Sequence, residues 1–265
     1  FTEEDEAIAV QLAQMASVAI NNAQLYEEAQ EAVRAREEFI SIASHELRTP
    51  LTSLMLQLQT LVKAAERNAL ERQPAGQVLS RLEEAQGQVK RLSKLVNELL
   101  DLSKLTAGRL ELDLEKVDLA MVAREVARRF SEEMRIAGCE LILDADTPVT
   151  GLWDRFRLEQ VAANLLSNAI KYGRGKPVEI KVEGDSETAR LTVRDQGIGI
   201  APESLDRIFV RFERAVSARN YSGLGLGLYI VHRILDALGG SIKVTSELGK
   251  GATFVVELPR GRPGG

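Results

Sequence analysis

From Glu3 to Arg67 the sequence has no glycine and a single proline, Pro50, and it is rich in Ala, Leu, Glu and Gln. A run of such residues specifies one continuous helix. About 60 residues at 1.5 Å each would extend roughly 90 Å, far beyond an ordinary globular helix, so only packing against other helices would keep it in solution. Leu25, Ala29, Ala32, Arg36, Phe39 and Ala43 follow alternating steps of four and three, and so do Leu47, Leu51, Leu54, Leu58 and Leu61. That is a heptad seam in need of a partner.

Between Arg67 and Gly76, Asn68, Pro74 and Gly76 supply helix-stop and turn chemistry. A second helix then runs to about Leu105, with Leu82, Ala85, Val89, Leu92, Val96 and Leu99 repeating the three-four spacing. The pair forms an antiparallel hairpin that buries too little alone. Two copies side by side close a four-helix bundle, so a homodimer is the simplest way to hide both seams.

After Ala107-Gly108 the pattern alternates between strands and helices. Strands are expected at 110–114, 140–145, 178–183, 189–194, 241–245 and 253–258, with helices at 119–137, 155–171 and 224–238. The strands at 178–194 and at 241–258 are joined too briefly for parallel crossovers, so the sheet is mixed and contains hairpins. The class is multidomain, α and α+β: a long helical hairpin followed by an α/β sandwich with a mixed sheet. The divisions fall at residues 1–37 (a coiled-coil helix), 38–107, 108–259 and a loose tail, 260–265.

Composition excludes several functions. A net charge of −5 and a pI near 5.4 argue against nucleic acid, which calls for a clustered basic surface. No apolar run approaches the roughly 18 residues of a membrane span, so this stretch makes no membrane contact. The single cysteine, Cys139, allows neither an internal disulfide nor a Cys-rich zinc site, which fits a reducing cytoplasmic setting. The opening at Phe1, acidic and without methionine or a basic signal segment, reads as the start of a piece of a longer protein.

One segment of the first helix, Ser44-His45-Glu46-Leu47-Arg48-Thr49-Pro50, interrupts the ordinary pattern. His45 stands two positions from seam residue Leu47, about 200° around the helix, so its imidazole faces water. Glu46 can hold one ring nitrogen and act as base while the other attacks an electrophile. Thr49 shares the face of His45, and Pro50, which removes an amide hydrogen bond, is expected to bend the helix. The other histidine, His232, has no activating neighbour and reads as a surface or structural residue.

Four clusters in the second half could carry chemistry, the first of them suited to a magnesium polyphosphate. Asn164, Asn168 and Lys171 share one helix face at spacings of four and three, followed by Tyr172. Asp195-Gln-Gly197-Ile-Gly199 ends a strand with an acid that can accept from an exocyclic amine such as that of adenine. Gly223-Leu-Gly225-Leu-Gly227 precedes a helix and offers bare amides to phosphates, though it is neither a Walker loop nor a dinucleotide fingerprint. Gly249-Lys-Gly251-Ala-Thr253-Phe254 reads as a hairpin turn. Between Gly199 and Gly223 lies an expected lid, with Arg207, Arg211, Arg214 and Arg219 interleaved with Phe209 and Phe212.

In this order the clusters resemble the sensor histidine kinase family from about Glu38 to Leu258. Residues 44–51 resemble its H box, 164–172 its N box, 195–199 its G1 box, 208–212 its F box and 223–227 its G2 box. The resemblance implies a dimeric phosphoacceptor domain joined to a Bergerat-type ATP-binding fold, shared with gyrase, Hsp90 and MutL. It further implies a protein-histidine kinase that uses ATP and Mg2+, phosphorylates His45 and passes the phosphoryl group to a response regulator receiver domain. By that likeness Glu46 is the base and Thr49 helps position water for dephosphorylating the partner. Asn164 and Asn168 hold magnesium, Lys171 contacts phosphate, Tyr172 neighbours adenine, and Asp195 accepts the adenine amine. Gly197, Gly199, Gly223, Gly225 and Gly227 form the nucleotide loops. Ala252 stands where a hydroxyl residue is common, which leaves Thr253 open as a contact, and the γ-phosphate arginine is either Arg211 or Arg214. Residues 1–26 resemble the last helix of a GAF sensor domain running into a signalling helix. The balance of kinase and phosphatase activity stays open, as does phosphorylation within one chain or across the dimer.

Overall fold

The glycine-free run is a single helix, α1 (Glu3–Glu66), which continues through Pro50 without a break. The computed structural model describes residues 3–66, 75–106, 111–213 and 224–261; the expected connection at 67–74 and the residues 262–265 of the expected tail lie outside them. The chain divides into two compact units, Phe1–Val89 and Lys90–Gly265. No helix among the described residues is long and apolar enough to cross a membrane.

In the first unit α1 meets the beginning of α2 (Ala75–Thr106). Gln57 Nε2 donates to Glu84 Oε2 at 2.9 Å. The two residues are equally far from the facing ends of their helices, which makes the hairpin antiparallel. Small residues, Ala64 and Ala85, are buried, and Leu54 and Leu61 are half-buried. Leu51 and Leu58, the alternate seam positions, stay 45% and 46% exposed, with Leu82 at 49% and Val89 at 47%. One hairpin thus covers only part of its apolar surface.

The second unit is a two-layer sandwich. Its main sheet has the order β2-β4-β5-β7-β6, formed by Leu141–Asp144, Val178–Gly184, Thr188–Asp195, Gly251–Pro259 and Ser241–Glu247 respectively. Only β2 and β4 are parallel; the other pairs are antiparallel, giving the mixed sheet expected from the short connections. Registry aligns Ile180, Val193 and Phe254 in one row and Val182, Leu191 and Val256 in another, all buried. This face meets α3 (Leu119–Arg129), α5 (Arg155–Tyr172) and α6 (Gly227–Ala237), whose inward sides carry Val122, Val126, Leu158, Leu165, Ile230 and Ile234. Alternation of buried with exposed or half-buried residues along β4 and β5 puts Lys181 and Arg194 on the opposite face.

Three local readings need correction. The strand expected at 110–114 lies instead at β1 (Glu115–Asp118), which pairs with β3 (Thr150–Trp153), a strand too short and glycine-interrupted to announce itself. The upstream segment is drawn to the start of α5, where the Asp113 amide donates to Asp154 Oδ2 at 3.1 Å. The single helix expected over 119–137 breaks at Phe130 into α3 and α4 (Ser131–Ala137), where Ser131 Oγ turns back onto Arg128 O at 2.9 Å. Arg260, assigned to the loose tail, is tied down: its amide donates to Glu187 O at 2.9 Å and its guanidinium to Thr150 O at 2.7 Å. Trp153, fully buried, donates from Nε1 to Pro259 O at 2.7 Å.

Candidate functional site

The site is organised around α5. Asp154 caps this helix, accepting from the Arg157 amide at 3.0 Å, and one side of the helix is anchored in the core by Leu158, Ala162, Leu165 and Ala169. At helical spacing the opposite side presents Asn164, Ser167, Asn168 and Lys171 to a cavity of about 850 Å3. That volume suits a ligand of nucleotide size. Asn164 Nδ2 is taken up by Gln160 O at 3.0 Å, which leaves its Oδ1 directed away from its own helix. A Cβ on Gly227 would lie 2.9 Å from that oxygen. Glycine there lets the start of α6 come close to α5, and Gly225, Leu226 and Gly227 line the same cavity. The amides at this helix start suit anionic oxygens.

Across the cavity stands Asp195 at the end of β5, only 5% exposed. Burial pushes its carboxyl above the usual aspartate range, opposed by amide hydrogen bonds from Gly197 and Ala252 and by the charge of Lys176. The Gly197 bond is 2.8 Å. Backbone crowding explains the glycines around it. A Cβ on Gly197 would sit 2.0 Å from Tyr172 O, and one on Gly251 would sit 2.1 Å from Asp195 O. Gly199 has φ 68° and the same crowding against Glu247 O. The loop is pinned by Gly249 N to Ile198 O at 2.7 Å and Ile200 N to Ser246 Oγ at 2.8 Å.

The fold therefore brings Asn164, Asn168, Lys171, Tyr172, Asp195, Gly199, Gly225 and Gly227 around one cavity, with Gly197 directly behind Asp195. It leaves out two of the residues singled out from sequence. Thr253 does not line the cavity, because strand alternation gives Ala252 and Phe254 to that side. Arg211 is exposed and lines a separate depression with Phe209, Tyr229 and His232. Arg214 and Gly223 lie outside the described residues. His232 is an exposed surface residue, with Nδ1 3.1 Å from Asp236 Oδ2. Phe254, at the end of the 249–254 cluster, lines the cavity too; sequence reasoning missed Ser167, although it shares the spacing of Asn164 and Lys171, and missed Arg91 and Lys94, which also line it. No local signal marks the last two.

On α1, Ser44, His45 and Thr49 are exposed, while Glu46 and Leu47 are half-buried. The exposure of His45 follows from its angle to the seam. Thr49 Oγ1 donates to His45 O at 3.1 Å, so its hydroxyl is turned back onto the helix.

Two family models match the chain: "His Kinase A (phospho-acceptor) domain" over residues 35–108 and "Histidine kinase-, DNA gyrase B-, and HSP90-like ATPase" over residues 153–262. The histidine kinase AdeS of Acinetobacter baumannii is 31% identical, with a TM-score of 0.63 over 82% of this chain and 98% of that one. The chain belongs to the sensor histidine kinase family. Among particular relatives, the sensor protein SrrB of Staphylococcus aureus is 32% identical over 228 residues, covering 85% of this chain and 38% of SrrB. The chain thus spans less than half the length of the curated relatives it matches. The structure of full-length ShkA in complex with AMPPNP is similar at 32% identity and a TM-score of 0.60, over 84% of this chain and 45% of that one.

Proposed function

We propose that this chain is the catalytic core of a sensor histidine kinase that phosphorylates itself on His45 with ATP and passes the phosphoryl group to an aspartate of a response regulator receiver domain. The observation that carries the reading is a cavity joining a buried carboxylate, Asp195, to the polar stripe of α5, in a chain that also exposes His45. Asp195 accepts from the exocyclic amine of adenine, and its burial strengthens that bond. The amides around Gly225 and Gly227 and the ammonium of Lys171 receive the phosphates. Asn164 and Asn168 would hold Mg2+ through their amide oxygens, and the outward Oδ1 of Asn164 fits that role. The ion supplies neutralisation of phosphate charge when bound.

In the transfer, the lone pair of one His45 ring nitrogen forms a bond to the γ-phosphorus. The bond from phosphorus to the bridging oxygen breaks, ADP leaves, and Glu46 takes the imidazole proton. The receiver's carboxylate then attacks the same phosphorus, the N–P bond breaks with its electron pair going to the ring nitrogen, and Glu46 returns the proton, restoring His45. The work of the protein is positioning and charge neutralisation. The exposed Leu51, Leu58, Leu82 and Val89 support a homodimer closed as a four-helix bundle. The part of α1 up to residue 37 acts as the signalling helix, and the chain works in the cytoplasm.

With γ-labelled ATP the chain should acquire an acid-labile phosphoryl label that His45→Ala abolishes. Undiminished label in that variant would overturn the assignment.

A further inference from the structure

The cavity has a wall that lies outside the matched ATPase stretch. Arg91, Lys94 and Leu95, from the part of α2 that belongs to the second unit, line it alongside α5. Leu95 is buried at 3% exposure. Lys94 Nζ donates to Ser167 Oγ at 3.4 Å. Two turns further along α2, Asp101 accepts from Gln160 Nε2 at 2.6 Å and pairs with Arg157 at 3.5 Å. Ser167 and Gln160 are likewise two turns apart on α5, in the reverse order, so α2 runs antiparallel to α5. It does so along the stripe that carries Asn164, Ser167, Asn168 and Lys171. The Asp101 and Arg157 side chains are only 19% and 11% exposed, which makes their contact a sheltered anchor.

The hydrogen-bond partner of the Lys94 ammonium is a neutral hydroxyl at long range. An anionic phosphate oxygen at the same wall is a much stronger acceptor, since charge-assisted bonds are about twice as strong as neutral ones. We propose that Lys94 is a polyphosphate-binding residue of the nucleotide site, supplied by α2, and that Asp101 is its positioning residue, acting through Gln160 and Arg157. This rests on the reading of the cavity as an ATP site.

The test is calorimetric titration of the full chain with ATP, ADP and AMP in the presence of Mg2+. Lys94→Gln should weaken ATP about five- to tenfold, ADP less and AMP not at all, with a shallower salt dependence. Lys94→Arg should restore most of the affinity. Asp101→Ala should give the same order of losses, and combining it with Lys94→Gln should add little. Lys90→Gln, which removes an exposed lysine of the same helix that does not line the cavity, should leave ATP affinity unchanged. Wild-type ATP affinity in Lys94→Gln, equal losses for ATP and AMP, or tighter ATP binding would each overturn the proposal while leaving the ATP site standing. Absence of ATP binding by the unaltered chain would overturn the ATP reading and this inference together.

Discussion

Replacing Gly197 with alanine tests whether backbone crowding holds Asp195 in place. The new Cβ would lie 2.0 Å from Tyr172 O, 2.5 Å from Tyr172 C and 2.8 Å from Gly173 Cα, all backbone atoms that no rotamer change can move. A comfortable C···O approach is about 3.3 Å, so the chain after Asp195 must retreat by roughly 1.3 Å from the end of α5. That retreat stretches the bond from Ile198 N to Tyr172 O, already 3.3 Å, and disturbs the 2.8 Å bond from Gly197 N to Asp195. Overpacking of this kind costs about 1–3 kcal/mol, and each kcal/mol lowers the melting temperature by about 2–4 °C in a unit of this size. On the proposed contact with the adenine amine, misplacing the buried acceptor costs about 1–3 kcal/mol more, roughly 5- to 150-fold in ATP affinity. Thermal melting and calorimetric ATP titration read the two effects. Gly87→Ala is the reference, since a Cβ there meets nothing within 4 Å, and it should leave ATP affinity unchanged. Wild-type melting and ATP affinity in Gly197→Ala would refute the reasoning.

Because burial raises the Asp195 pKa, its contribution to folding is present below the ordinary aspartate range and lost as pH rises through the raised value, above which the buried carboxylate is a cost. Asp195→Asn should therefore raise the melting temperature of the ligand-free chain at neutral pH while weakening ATP. ATP affinity of the unaltered chain should fall on acidification at a pH above the ordinary aspartate range, and a fall confined to that ordinary range would contradict it. Thr253→Val should leave ATP affinity unchanged in the same titration, because the side chain lies off the cavity. Asp154→Ala removes the cap of α5 and the acceptor for the Asp113 amide; denaturant melts should show a loss of about 1–2 kcal/mol.

What could be read from sequence was whatever local periodicity encodes. The absence of glycine and the three-four spacing determined α1, and the angle between His45 and Leu47 determined the exposure of the imidazole. The spacing of Asn164, Asn168 and Lys171 determined that they share a helix face, and the brevity of the connections at 178–194 and 241–258 determined a mixed sheet. Short elements without periodicity, such as β3 and the break at Phe130, carried no such signal. Tertiary structure alone decided what each face meets. It put Ala252 and Phe254 on the cavity side in place of Thr253, set Gly197 and Gly251 against backbone that crowds Asp195, and brought Lys94 to Ser167 across 73 positions of sequence. A helix or strand period fixes the direction of a side chain about its own axis. The neighbour it finds depends on how distant elements share one core, and no local pattern records that packing.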